Sequence, residues 1–386
     1  MFILEKPYVS EYLVQTIVQN DWPVLDNSIV EEADIEEDAF ILWTEKKAVN
    51  YYLTQEFPLI YSNSENSISW ILEKFPQSNL SEYIKFFKDK FQFREALTEL
   101  YPDFYCKAYE YNELQNVKPD SINYPVILKP AVGFLSFGVH SIKNAEDWNS
   151  AIKAIGTEMK TAASMYPDKV IDSSKFIVEE LIEGDEYAID AYYDRNGEAY
   201  ILNIFQHPFL NDKDVRDRIY VTSAEIMIRY MAKFIRLLDD IGKLKNIRNF
   251  PLHLELRVTP DGKIIPIEAN PMRFAGWCTT DVAEYAWGIN VYEYYYNQIK
   301  PDWNKIIESS GKDMYYFSMA EVPANMQNGG VKEFNYAKYL ANFSNVLEVR
   351  RINPAKNPLF AIIFGSTDDK NEIRRILGLK TSDYVQ

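Results

Sequence analysis

The chain of 386 residues is 47% apolar and 25% charged, a globular composition too long for one ordinary core and suited to two or three packed lobes. Its net charge of −16 excludes a nucleic-acid-binding surface, because phosphate backbones demand an excess of Lys and Arg. No run approaches the roughly 18 to 20 apolar residues of a membrane span.

Met1-Phe-Ile-Leu-Glu5 lacks the basic start of a signal peptide. Cys106 and Cys278 have neither disulfide-framework nor metal-ligand spacing, so they read as reduced, buried thiols in a cytoplasmic protein.

Residues 1 to about 85 read as a small α/β lobe. Phe2-Ile-Leu, Phe40-Ile-Leu-Trp43 and Pro58-Leu-Ile-Tyr61 are strand candidates, and Ser10 caps a helix through Val18 with Glu11 in its first turn. Glu31, Glu32, Glu36, Glu37 and Asp38 read as a solvated acidic face. No glycine-rich dinucleotide fingerprint follows the first strand.

From Leu80 to about Tyr109 the spacing of Tyr83, Ile84, Phe87, Phe91 and Leu97 predicts helix, ended by Pro102 and the turn residues after it. Strands follow at 124–129, 139–142, 175–178, 187–193 and 199–205, the last two joined across Asp194-Arg-Asn-Gly197. Residues 223–242 read as a helix, and Thr259-Pro-Asp-Gly262 turns a second hairpin. Asn290 to Ile299 is helical and Pro301 breaks it. The tail adds strands at 346–350 and 359–364 and a helix to Leu377, read as a third small lobe or lid.

Three segments carry chemistry. In Tyr124-Pro-Val-Ile-Leu-Lys129-Pro-Ala-Val-Gly133-Phe-Leu-Ser136-Phe-Gly138, a lysine ends an apolar strand, where its ammonium calls for an anion. Gly133 and Gly138 bracket a loop whose N–H groups, with the Ser136 hydroxyl, suit phosphate oxygens. Taken alone, the segment is read equally well as a hairpin with a snorkelling lysine.

In Phe176-Ile-Val-Glu179-Glu180-Leu-Ile182-Glu-Gly184-Asp-Glu186, a strand runs into an acidic turn, where a carboxylate can accept both hydroxyls of a ribose. Alone, this stretch reads as a surface loop of solvated acids.

In Leu252-His253-Leu-Glu255-Leu-Arg257, alternation puts His253, Glu255 and Arg257 on one face; after the turn, Glu268 and Asn270 share a face. A two-residue turn at Asp261-Gly262 sets Glu255 opposite Glu268, and a four-residue loop keeps both on one face. A three-residue loop with a bulge separates them, and Pro260 suits it. Facing carboxylates repel, yet two of them with an amide oxygen make a hard-oxygen site for Mg²⁺. The competing reading is a sheet face neutralised by Arg257 or Arg273.

These elements, in this order and with Asp89-Lys90 upstream, resemble the ATP-grasp superfamily over about residues 88–296. The resemblance implies an α/β (α+β) ATP-grasp fold. It divides into an N-terminal lobe, residues 1–87, a two-lobed domain, 88–300, with ATP between its lobes, and a C-terminal lobe, 301–386. Lys90 and Lys129 resemble the lysines that reach the ATP phosphates, and Gly133, Ser136 and Gly138 the loop that closes over them.

Glu179, Glu180 and Ile182 fall on the adenine-binding linker, Glu186 on the ribose acid, and Glu255, Glu268 and Asn270 on the ligands of Mg²⁺ or Mn²⁺. An acidic protein can still hold a polyphosphate through two such lysines and a divalent cation.

The His-Leu-Glu and Glu-Ala-Asn-Pro contexts are similar to the carboxylate–amine ligase branch, which forms an acylphosphate and then an amide. Its partners are small-molecule or peptide carboxylates and amines, without nucleic acid or membrane, and a homodimer is compatible. Met272 separates Asn-Pro from Arg273, which is read with Arg216 and Arg218 as the cations facing the reacting groups; Lys213 shares their loop. His140 and His207 show no partner pattern and read as structural.

Trp277-Cys278-Thr-Thr280 reads as lining the substrate end, without a base to activate Cys278. A phosphotransferase on the same fold and a non-catalytic Mg-ATP-binding regulator are the competing functions.

Overall fold

A computed structural model describes residues 1–32, 39–132, 138–165, 172–210, 216–311, 313–323, 326 and 333–385. Glu36, Glu37 and Asp38 of the acidic cluster, Gly133 and Ser136 of the glycine-bracketed loop, and Lys213 lie outside these residues.

The chain divides into two compact units, neither continuous in sequence: Met1–Ser64 with Asp185–Glu255 and Met272–Gln386, and Glu65–Gly184 with Leu256–Pro271. The expected boundaries at 87 and 300 do not coincide with them.

The first unit starts with a four-stranded parallel sheet of β1 (Phe2–Ile3), β2 (Pro23–Leu25), β3 (Ile41–Trp43) and β4 (Tyr61–Ser62), in the order β3-β2-β1-β4. The Ser10 hydroxyl accepts from the Leu13 N–H, so the helix Glu11–Gln19 begins where its cap predicts. Of the expected strand at 58–61, only Tyr61 belongs to β4.

The second unit holds an antiparallel sheet of β5 (Cys106–Glu110), β6 (Val126–Val132), β7 (His140–Ile142) and β8 (Asp172–Glu180), in the order β5-β8-β6-β7. Its core packs Leu128, Phe176 and Val178 against Trp148 and Ile155 of the helix Ala145–Met165. The expected helix from Leu80 to Tyr109 is instead two helices and a strand. Asn79–Lys88 stops at Asp89, whose carboxylate caps Lys90–Ala96, and β5 then pairs with β8 along its length.

The remaining strands are β9 (Asp185–Tyr193), β10 (Ala199–His207), β11 (Ile219–Thr222), β12 (Phe250–Val258), β13 (Ile264–Pro271), β14 (Met314–Glu321), β15 (Asn345–Arg351) and β16 (Leu359–Thr367). In the first unit they run in the order β12-β9-β10-β11-β14-β16-β15. The tail is therefore no separate lobe. Its strand β14 pairs with β11 from Ile219↔Ser318 to Thr222↔Tyr315, and buried Ile219, Val221, Tyr316 and Ile363 share one core cluster. The helix Ala224–Lys245, capped by the Ser223 hydroxyl, buries Tyr230, Phe234 and Leu238 along one face.

Both hairpins predicted from Asn-Gly and Asp-Gly form, with the same three-residue turn. Asp194 N–H donates to the Glu198 carbonyl while Gly197 N–H donates to Asp194, and Thr259 N–H donates to Lys263 while Gly262 N–H donates to Thr259. Gly197 (φ 86°) and Gly262 (φ 85°) take the left-handed conformation of the glycine bulge. The second hairpin thus takes the odd-numbered connection, and strand alternation counted from this turn does not set Glu255 opposite Glu268.

Candidate active site

The residues read as functional divide between the two units. In the second, the Asp89 carboxylate accepts from the N–H groups of Phe91 and Gln92, at 2.9 and 3.0 Å, and so fixes where the helix begins. Lys90 is its first residue, and its Nζ lies 2.9 Å from Glu268 Oε2 on β13.

One turn on, Arg94 donates from Nη2 to the Pro266 carbonyl at 2.6 Å. Its Nε lies 3.5 Å from Glu179 Oε2, and its guanidinium sits 4.0 Å from the Phe104 ring centroid. Helical spacing of four residues aims Lys90 and Arg94 the same way.

Strand register brings in the second lysine. Lys129 pairs with Ile177 and Ile127 with Glu179, so Lys129 and Glu179 are diagonal neighbours on one sheet face, with Nζ 2.6 Å from Oε1. Glu179 is only 3% exposed. Burial pushes its pKa up, but Lys129, Arg94 and Lys90 outweigh this and hold the carboxyl below its ordinary range. Glu268 is likewise pushed up by burial and held down by Lys90, Lys129 and Lys88. The two predicted lysines and these two glutamates form one electrostatic cluster, with both acids ionised at neutral pH. Asn270, also on β13 and two residues from Glu268, is 7% exposed.

The linker between β8 and β9 is tied down by its backbone. Glu180 N–H donates to the Tyr105 carbonyl at 3.0 Å, and the Ile182 carbonyl accepts from Arg257 Nη1 at 2.7 Å. Gly138, the described end of the glycine-bracketed loop, has φ 69°.

In the first unit, Glu186 on β9 faces His207 on β10, with Oε1 3.0 Å from Nδ1. The His207 ring stacks on Tyr220, with centroids 4.3 Å apart, and its Nε2 lies 3.7 Å from Asp217. His207 is thus no isolated core residue but the partner of the predicted ribose acid. Counting from the Asp194–Gly197 turn alone sets 186 opposite 206; a bulge between Ile201 and Asn203 shifts the register by one and brings His207 opposite Glu186, so the sequence carried no signal for the pair. His140 also has a partner, Glu158 at 3.0 Å.

Glu255 on β12 has His253 Nε2 3.7 Å from its Oε1, and His253 Nδ1 lies 2.8 Å from Asp190 Oδ1. Burial, Asp217, Glu255 and Glu186 together push the Tyr220 hydroxyl well above its ordinary pKa, so these carboxylates share one neighbourhood.

Of the three predicted arginines, Arg218 is buried, while Arg216 is 55% exposed and 3.6 Å from Glu321. Met272, between Asn-Pro and Arg273, takes φ 70° while fully buried, and Arg273 Nη1 donates to the Phe274 carbonyl at 2.9 Å. Trp277 and Cys278 follow in left-handed conformations. Burial, then Asp281, pushes the Cys278 thiol well above its ordinary pKa, which leaves it protonated.

The donor set read for a metal is two carboxylates and one amide, all hard oxygens, and ionised Glu268 fits Mg²⁺. Among the described residues no three His, Cys, Asp or Glu side chains gather as a metal centre.

An ATP-grasp domain model matches residues 122–281. In structure the chain is similar to the L-amino acid ligase from Bacillus licheniformis, at TM-score 0.67 and 14% identity, covering 100% of this chain and 97% of that one. The N5-carboxyaminoimidazole ribonucleotide synthetase from Thermotoga maritima gives 0.63 and 14%, over 100% and 98%.

The biotin carboxylase domain of the Hydrogenobacter thermophilus 2-oxoglutarate carboxylase, solved with MgADP, ADP and bicarbonate, gives 0.61 and 12%, over 95% and 86%. Comparison with curated protein sequences found no match. At these identities the likeness establishes the fold, a mixed α/β ATP-grasp fold. Within that fold, residues 122–281 match an ATP-grasp domain. Among the described residues no helix is long and apolar enough to cross a membrane.

Proposed function

We propose that this protein is an ATP-dependent ligase that joins a carboxylate to an amine. The observation that carries the reading is the cluster of Lys90, Lys129, Glu179 and Glu268, placed in an ATP-grasp fold. Each lysine is held by a carboxylate at the position where the family resemblance expects phosphate contacts.

In the first step a substrate carboxylate oxygen attacks the γ-phosphorus of ATP. The bond from that phosphorus to the bridging oxygen breaks, giving an acylphosphate and ADP. The amine nitrogen then attacks the acyl carbon, phosphate leaves, and the nitrogen loses a proton to give the amide. Lys90 and Lys129 offset charge on the phosphate oxygens. Mg²⁺, when bound, supplies further charge neutralisation there.

Glu186 is assigned to the ribose, and Glu179, Glu180 and Ile182 to the adenine. Glu255, Glu268 and Asn270 are assigned to the metal, and Arg273, Arg216 and Arg218 to the reacting groups. Amino acids are the first substrates to try, given the likeness in fold to the L-amino acid ligase.

The test is hydroxylamine trapping during turnover with ATP, Mg²⁺ and a panel of amino acids and dipeptides. A hydroxamate that depends on the carboxylate is the expected result. ADP formation without dependence on any carboxylate overturns the ligase reading, and a stable phosphorylated product identifies a phosphotransferase instead.

A further inference from the structure

β9 and β10 meet in a polar pair that sheet formation alone does not require. The bulge between Ile201 and Asn203 sets His207, rather than Gln206, directly across from Glu186. Cross-strand partners share a face, and His207 Nδ1 lies 3.0 Å from Glu186 Oε1, within hydrogen-bond distance. An ionised carboxylate only accepts, so the ring hydrogen facing Glu186 sits on Nδ1 in the neutral imidazole and in the imidazolium alike. The bond therefore needs no change in the charge of the ring.

The imidazole has little freedom. It is 3% exposed, lies 4.3 Å from the Tyr220 ring at an interplanar angle of 14°, and meets the Phe209 ring at 4.3 Å. Stacking sets the plane of the ring, and the bond to Glu186 sets its rotation within that plane. Nε2 is buried without a hydrogen-bond partner among the described residues, because Asp217 Oδ1 at 3.7 Å is beyond reach. Filling the space between two aromatic rings would be served by an apolar side chain without that cost. The bond to Glu186 is what a histidine adds here.

We propose that His207 is a positioning residue for Glu186, whose Nδ1–H holds the carboxylate in the orientation that accepts the 2′- and 3′-hydroxyls of the nucleotide ribose. The inference rests on the ribose reading of Glu186. Each carboxylate oxygen has two acceptor sites, so the bond at Oε1 leaves both oxygens able to receive a hydroxyl. A hydrogen bond to a charged acceptor is worth about 10-fold or more in affinity. His207 would thereby set how well the site tells a ribonucleotide from a 2′-deoxyribonucleotide.

The probes are ADP and 2′-deoxy-ADP, titrated calorimetrically into the full chain at saturating Mg²⁺. Wild type is expected to prefer ADP by about 10-fold or more, and Glu186→Ala to reduce the preference below about threefold. His207→Phe, which keeps the stacking ring and removes the donor, is expected to reduce it similarly. His207→Asn, whose amide can donate from near the position of Nδ1, is expected to restore most of it. H207F added to E186A is expected to leave the E186A ratio unchanged, because both act through one carboxylate.

A purely structural histidine would weaken both nucleotides alike, so an unchanged ratio in H207F, with the ratio lost in E186A, overturns the positioning role alone. A wild-type ratio in E186A overturns the ribose reading and the positioning role with it, as does a wild type that does not distinguish the two nucleotides. Should H207F fail to fold, His207→Met, flexible enough to fill the same space without a donor, carries the same comparison.

Discussion

Glu179 and Glu268 each sit against a lysine, yet burial makes them different residues. Glu179 is enclosed with Lys129 and Arg94, and replacing it with Gln leaves two buried cations facing each other. Such a break costs about 3–5 kcal/mol, read as a lowered urea midpoint at neutral pH. Glu268 is 25% exposed and Lys90 10%, so Glu268→Gln breaks a partly solvated pair and is expected to cost less than Glu179→Gln. Glu268→Gln is also expected to abolish Mg-ATP-dependent turnover while the protein stays folded. Normal turnover in E268Q would remove Glu268 from the metal set.

The sign of the pH effect at Glu179 follows from its shift. Its folded pKa is held below the ordinary 4.5, so its stabilisation is complete above that value and is lost as pH falls through the folded one. The stability gap separating wild type from E179Q should therefore narrow as pH is lowered from about 5 to 3. A gap that widened would mean that burial outweighs the three cations. Lysine 129 was legible in sequence as a charge needing an anion, but Arg94 was not, because nothing in a helix marks which residue reaches a distant carboxylate.

At the scale of elements, glycine conformation sets where strands turn and how tightly they approach. Gly262 has φ 85° with open space around its Cα, whereas Gly184 has φ 140° and an added Cβ would lie 2.2 Å from the Val258 carbonyl oxygen. Gly262→Ala meets strain only and should cost about 1–2 kcal/mol. Gly184→Ala meets strain and a backbone clash at the linker. It is expected to exceed the Gly262→Ala cost by a clear margin in urea unfolding, and equal costs would show that the linker relaxes freely. Both hairpins were readable from Asn-Gly and Asp-Gly, but their three-residue form was not. A left-handed glycine serves two-residue and three-residue connections alike, and only the closing hydrogen bonds distinguish them. The strand at Cys106–Glu110 was hidden for a related reason: Cys-Lys-Ala-Tyr-Glu has little apolar alternation, and its partner β8 lies about 70 residues downstream, at 172–180.

At the scale of the whole molecule, sequence order is a poor guide to which strands share a sheet. The ATP-grasp elements were recognisable because their residues recur in a fixed order with characteristic chemistry. The units were not, because β11 and β14 are nearly a hundred residues apart and alternation does not encode a partner. This difference has a direct consequence for the tail. Were residues 301–386 a separate lobe, a chain ending at Lys300 would keep the preceding domain folded. Instead, removal of β14 strips the partner from β11 and uncovers Ile219, Tyr220 and Val221, which are at most 7% exposed in the intact chain. An unpaired edge with bare apolar residues favours aggregation. The truncated chain is expected to be insoluble or to lack a cooperative urea transition by circular dichroism. A soluble, cooperatively unfolding product would restore the three-lobe division, since it would show that the first unit's sheet is complete without its last three strands.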